Sequence, residues 1–144
     1  MIKILKGFLL MMTIVISILL VSFIKEENPV VRSLPVLIES KIHAQGETYV
    51  PLSKIPLPLQ HAVIDTEDRS FYTNPGVSFE GIIRSVVRDL SSESFQEGGS
   101  TITQQLAKNQ LLTDEKNVSR KFKEIILAFL ITRNFSKQDI LAMY

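Results

Sequence analysis

Gly98-Gly99-Ser100-Thr101-Ile102-Thr103-Gln104-Gln105 is the stretch that decides how the chain is read. Two glycines, three hydroxyls and two amides make a poor core segment but a good helix start. Thr101 and Gln104 have the spacing of a capping box, so a helix should open at Ser100 or Thr101 and run through about Leu112. The unpaired amides and positive dipole end of such a helix, approached closely over glycine, favour an anion such as phosphate or pyrophosphate.

Working outward, Ser78 can cap an amphipathic helix with Phe79, Ile82, Ile83, Val86, Val87 and Leu90 on its apolar stripe. The Ser-rich stretch Ser91 to Glu97 reads as a loop, and Thr113 to Ser119 as a polar connection. From Ile125 to Ile131 every residue is apolar, which on a helix means burial on nearly all sides. Ser136, with Asp139 three residues on, begins a last short helix. Upstream, Pro58 suits the first turn of a helix with Leu59, Ala62, Val63, Thr66 and Ser70 along one side. Glu67 falls at the edge of that stripe, and Asp68 lies about 100° further round, so the two carboxylates should not share a role.

The N-terminal end is of another kind. Phe8 to Ile24 carries no charge, which reads as a membrane span, and Lys3 and Lys6 before it predict an N-terminus on the cytoplasmic side. The apolar run ends without a small-x-small cleavage site, so an uncleaved anchor is expected over residues 1–24. Pro29, Pro35, Pro51, Pro56 and Pro58 interrupt the next segment, and residues 25–50 read as an irregular stalk or lead-in to a soluble domain over 51–144. A chain of 144 residues has room for that anchor and one small domain. The net charge of +1, with acids and bases mixed, excludes the long basic face of a nucleic-acid binder. With no cysteine there is no thiolate metal site and no cysteine nucleophile.

Glu67 and Glu124 are the candidate acid–base residues, each near apolar neighbours expected to bury it away from water. Lys108 on the helix opened by the octet and Arg84 on the amphipathic helix before it are candidate pyrophosphate ligands, and Lys116 and Arg120 lead into Glu124. Arg88, Lys121 and Lys123 are expected to face solvent. His43 and His61 have no metal-ligand spacing.

These residues together resemble the glycosyltransferase (transglycosylase) domain of class A penicillin-binding proteins and of monofunctional peptidoglycan glycosyltransferases. Four motifs occur in order: Glu67-Asp68-Arg69-Ser70-Phe71 with Gly76; the octet; Arg120-Lys121-Phe122-Lys123-Glu124; and Lys137-Gln138-Asp139-Ile140-Leu141. Asn74 stands where the family has histidine, Ser78 where an acid or Asn is usual, and Ala142 where glutamate is usual. The fourth motif runs to Tyr144, so the domain is expected to be incomplete at its C-terminus.

The resemblance implies a mainly α, lysozyme-like fold behind one transmembrane helix, on the outer face of the bacterial cytoplasmic membrane. It implies polymerisation of lipid II onto a growing glycan strand with release of undecaprenyl pyrophosphate. Carried over, Glu67 is the general base, and Glu124 organises the donor pyrophosphate, with a role as ligand to Mg2+ or another divalent metal. Arg84, Ser100, Gln104, Gln105, Lys108, Lys116 and Arg120 bind substrate. Other cell-wall synthesis proteins are the partners it implies, and no organic cofactor is expected. A catalytically inactive, membrane-anchored module binding cell-wall precursor is the alternative from another class. A wall-cleaving lytic enzyme is a third reading, but it has no use for a pyrophosphate site.

Overall fold

The computed structural model describes residues 2–81, 99–113 and 117–144, all of the regular structure among them helical. Gly98, Arg84, Lys116 and most of the expected amphipathic helix lie outside the described residues. The start of that helix is within them, and there the Gly81 N–H donates to Ser78 Oγ at 3.0 Å, as the capping reading requires.

Helix α1 spans Ile2–Arg32. It is long and apolar enough to cross a membrane, and at about 1.5 Å per residue it exceeds a ~30 Å hydrocarbon core by several turns. Those last turns dock on the domain. Val31 is fully buried, Asn28 Oδ1 accepts from Asn134 Nδ2 at 2.9 Å, and Arg32 Nε donates to Asn134 Oδ1 at 3.1 Å.

The expected irregular stalk is largely helical. Helix α1 continues through Pro29, and α2 (Leu34–Ala44) comes at once after it with Pro35 in its first turn, where a missing N–H costs nothing. Val31, Leu34 and Ile38 recur at helical spacing and enter the core, and this burial outweighs the breaks the prolines suggest. A short 3-10 turn, Leu52–Lys54, leads to α3 (Leu57–Glu67), which has Pro58 in its first turn.

Among the described residues three further helices follow: α4 (Ile102–Leu111), α5 (Val118–Asn134) and α6 (Lys137–Met143). The capping box expected at Thr101 and Gln104 opens α4, and the box between Ser136 and Asp139 opens α6. Asn117, expected only in a polar connection, is the N-cap of α5 and accepts from the Arg120 N–H at 2.7 Å. Helix α5 packs against both α4 and the end of α1, and α6 covers α4 and α5. Phe71, Ile102, Leu106, Leu127, Ile131 and Ile140 form the centre of the core. Within the expected all-buried run, Leu127, Ala128, Leu130 and Ile131 are buried, whereas Phe129 is substantially exposed.

Helix α3 departs from its expected face. Ile64 is buried, but Leu59 and Ala62 are exposed, and Ala62, Val63, Thr66 and Glu67 line an open cleft of about 330 Å³ with Tyr144. Three residues of the stripe, Ala62, Val63 and Thr66, thus form a wall of this cleft.

Candidate active site

The octet is held from three directions. The Thr101 hydroxyl donates to the Gly76 carbonyl at 2.6 Å, the Ile102 N–H donates to Asp68 Oδ2 at 3.3 Å, and Lys121 Nζ donates to Ser100 Oγ at 2.9 Å. Gly99, at φ +125°, lies so close to Gly81 that a Cβ on it would stand 2.8 Å from the Gly81 carbonyl oxygen. This is a backbone approach only glycine permits. Gln104 N–H donates to Thr101 Oγ1, and Thr101 N–H donates to Gln104 Oε1, both at 3.1 Å, so the first turn of α4 is pinned by its own side chains.

Adjacent residues of that turn reach two different carboxylates. Gln104 Nε2 donates to Glu124 Oε1 at 3.2 Å, and Gln105 Nε2 donates to Glu67 Oε2 at 2.8 Å. Successive helical residues diverge by about 100°, so the two glutamates stand on different sides of one turn. Lys108 lies one turn further along α4 from Gln104 and is partly buried.

The two carboxylates have contrasting surroundings. Glu124 is 1 % exposed, and besides Gln104 it accepts from Arg120 NH1 at 3.0 Å and from Lys121 Nζ. Charge-assisted bonds of this kind are what make a buried carboxylate tolerable. The expected burial of Glu124 is therefore met. Glu67 is exposed, not buried as its apolar neighbours in sequence suggest, because α3 turns that side to the cleft. Its neighbour Asp68 is the buried one, 5 % exposed, and accepts from Ser70 Oγ at 2.9 Å and from Asn74 Nδ2 at 2.9 and 3.0 Å. The two adjacent carboxylates have separate surroundings.

Lys121, expected to face solvent, instead joins Ser100 to Glu124. Its position three residues before Glu124 is the available signal, since residues at that spacing are neighbours on a helix. Tyr144 is a further site residue that the sequence pattern does not reveal. Its hydroxyl donates to Gln105 Oε1 at 3.0 Å, and burial, followed by the nearby Glu67 charge, raises its pKa above the ordinary phenol value. Burial lowers the pKa of Lys137 below the usual lysine range, with Asp68 acting in the opposite direction.

The donor set around Glu124 does not fit a resident divalent metal. Both carboxylate oxygens accept from cationic donors, and among the described residues no group of three His, Asp or Glu side chains is placed to hold a metal ion. A hard cation such as Mg2+ needs several oxygen ligands in near-octahedral array.

The sequence profile described as Transglycosylase matches residues 36–144. The chain belongs to the transglycosylase family. That membership carries the mainly helical, lysozyme-like fold, with the helices after α1 as its framework. Among similar proteins, penicillin-binding protein 1A of Rickettsia prowazekii is 42 % identical over 103 residues, covering 69 % of this chain and 13 % of the relative. Penicillin-binding protein 2a of Streptococcus pneumoniae is 46 % identical over 103 residues, covering 72 % and 14 %. Penicillin-binding protein 1F of Bacillus subtilis is 40 % identical over 105 residues, covering 73 % and 15 %. The transglycosylase chain thus spans about one seventh of the length of these curated relatives. The profile begins within α2, so the transglycosylase match takes in helix that the sequence pattern assigns to the stalk.

Proposed function

We propose that the chain is a peptidoglycan glycosyltransferase that polymerises lipid II into glycan strands and releases undecaprenyl pyrophosphate. The observation that carries this reading is the pair of tethers from one helical turn: Gln105 to the open Glu67 and Gln104 to the cation-bound Glu124. One side of the turn offers a carboxylate in a cleft, and the other offers Arg120, Lys121 and the Ser100 hydroxyl beside a glycine-rich helix start.

In this reading the acceptor 4-hydroxyl enters the cleft and gives its proton to a Glu67 oxygen as its own oxygen attacks C1 of the donor. The C1–O bond to pyrophosphate breaks on the opposite face, and the anomeric centre inverts. Pyrophosphate departs as an anion, so the fixed cations Arg120 and Lys121 with the Ser100 hydroxyl can stabilise it where an alcohol leaving group would need an acid. The Thr101, Ile102 and Gln104 amides expected to face an anion are instead taken up by Gln104, Asp68 and Thr101. Lys108, Arg84 and Lys116 are the further cations assigned to the donor. Glu124 holds Arg120 and Lys121 in place, and Gln104 holds Glu124. A wall-cleaving enzyme would have no use for this second half of the site.

The family name of the relatives and α1, the one helix among the described residues long and apolar enough to cross a membrane, support a single-pass anchor in the bacterial cytoplasmic membrane. Lys3 and Lys6 support an N-terminus inside and the domain on the outer face. A lipid-linked substrate suits that placement, and the growing glycan strand and other cell-wall synthesis proteins are the proposed partners.

The test is incubation of the detergent-solubilised chain with lipid II, reading glycan strands and released undecaprenyl pyrophosphate, with and without Mg2+. Strand formation lost in Glu67→Gln would support the reading. Binding of lipid II with no product would leave a precursor-binding module instead, and no binding would overturn both. A Mg2+ requirement would report an ion carried by the substrate's own oxygens.

A further inference from the structure

Asp68 is a buried carboxylate held by neutral donors: the Ser70 hydroxyl, the Asn74 amide and the Ile102 backbone N–H. A buried charge is costly unless an opposite charge lies near. The cation placed on this network is Lys137, which reaches it from the first residue of α6. Lys137 Nζ donates to Asn74 Oδ1 at 3.2 Å and sits 4.8 Å from the centroid of the buried Phe71 ring. The first turn of a helix is an unfavourable place for a cation, so helix stability does not account for a lysine here. Contact with Asn74 and Phe71 does.

Asn74 is the centre of the arrangement, 8 % exposed. Its Nδ2 donates to both oxygens of Asp68, while its Oδ1 accepts from the Gly76 N–H at 2.9 Å and from Lys137. A histidine at this position could itself carry the positive charge that Asp68 requires. An asparagine cannot. In this chain the neutralising charge therefore comes from one hydrogen bond further away.

We propose that Lys137 is a positioning residue: acting through Asn74 and Asp68, it fixes the start of α4 against the end of α3, and Asn74 makes this chain dependent on it. Asp68 Oδ2 accepts from Ile102 N–H at the first turn of α4, and Asp68 is the residue directly after Glu67. The same turn carries Gln105, which holds the Glu67 carboxylate. Among the described residues, weakening the Asp68 tether leaves Glu67 and the octet joined through Gln105.

The test compares the full chain with Lys137→Met, Lys137→Arg, Asn74→His and the Asn74→His/Lys137→Met double variant. Two readouts are used: hydrogen exchange at the Ile102 amide, and kcat and KM for lipid II. Lys137→Met is expected to speed exchange at Ile102 roughly tenfold, the scale of a weakened charge-assisted bond, while amides in the middle of α5 keep their protection. Lys137→Arg restores most of it, and in the Asn74→His background Lys137→Met loses its effect. The kinetic arm rests on the polymerase reading and should show a fall in kcat with KM nearly unchanged. Unchanged exchange at Ile102 in Lys137→Met, or equal damage from Lys137→Met in the Asn74→His background, would overturn the proposal. A chain that makes no strands at all would instead count against the polymerase reading, and the exchange arm would still decide this one.

Discussion

Gln105 Nε2 stands 2.8 Å from Glu67 Oε2, and this bond fixes the open carboxylate of the cleft to the first turn of the helix that the octet opens. One oxygen of Glu67 is thereby taken up in orientation, and the other is left for a proton. Replacing Glu67 by Gln keeps size and polarity but removes the base. The expected loss in strand formation is about 10²- to 10⁴-fold, the usual contribution of a positioned base. Binding of a pyrophosphate-bearing donor analogue should change by no more than a few-fold. Equal losses in rate and binding would remove Glu67 from the base role.

Tyr144 extends the same chain of bonds, since its hydroxyl donates to the other end of the Gln105 amide. Burial first, and then repulsion from Glu67, keep the proton on this phenol above its ordinary value of 10.0. The folded state therefore holds a proton that the unfolded chain gives up earlier. The resulting stability is complete below the ordinary phenol value and is lost as pH rises through the higher folded one. Titrating phenolate absorbance should show a step above the ordinary phenol value, and Tyr144→Phe should delete that late step. A high-pH titration that Tyr144→Phe leaves unchanged would contradict the placement.

How much of the fold and site is legible in the sequence depends on the range of each interaction. Thr101 with Gln104 and Ser136 with Asp139 are contacts within one turn, so spacing alone exposes them. The helical spacing of Val31, Leu34 and Ile38 is also present in the sequence, but the surrounding prolines mask it until burial is known. Lys121 and Lys123 look alike in the sequence. Only their spacing to Glu124, three residues against one, separates the one that reaches it, and the further bond of Lys121 to Ser100, on another element, has no local signal. The Lys137–Asn74–Asp68 link joins residues 63 positions apart and has no local signal. The exposure of Glu67 depends on which side of α3 faces the cleft, and an apolar stripe cannot distinguish a core wall from a substrate wall.

Glu124 answers a different question, because both of its strongest partners are cations. Glu124→Ala leaves the largely buried Arg120 guanidinium unpaired, and removing one partner of a buried ion pair costs about 3–5 kcal/mol. Denaturant unfolding of the detergent-solubilised chain should show a loss of that size for Glu124→Ala. The Arg120→Ala/Glu124→Ala double variant should lose less than the sum of the two single changes. Additive losses would mean that the pair is not coupled, and Glu124 would then have no organising role toward Arg120.

Gly76 and Gly46 form a matched pair for testing how tightly α5 is seated beneath the octet. Both have positive φ, +101° and +73°, so alanine at either position meets the backbone penalty of about 1–2 kcal/mol that a side chain incurs there. Around Gly46 a Cβ would find nothing within 4 Å, so Gly46→Ala should show that penalty alone. At Gly76 the same atom would lie 2.5 Å from the Ala128 carbonyl oxygen and 2.6 Å from Thr132 Oγ1, on the face of α5 next to its buried core residues. Helix backbone cannot move aside as a flexible side chain can, so the turn must shift, and it carries the Gly76 carbonyl that accepts from the Thr101 hydroxyl. Gly76→Ala should therefore destabilise the chain clearly more than Gly46→Ala in denaturant unfolding. It should also weaken donor-analogue binding, while Gly46→Ala leaves that binding unchanged. Equal stability losses would show that α5 yields at Ala128 and that the close approach at Gly76 does not set the position of the octet.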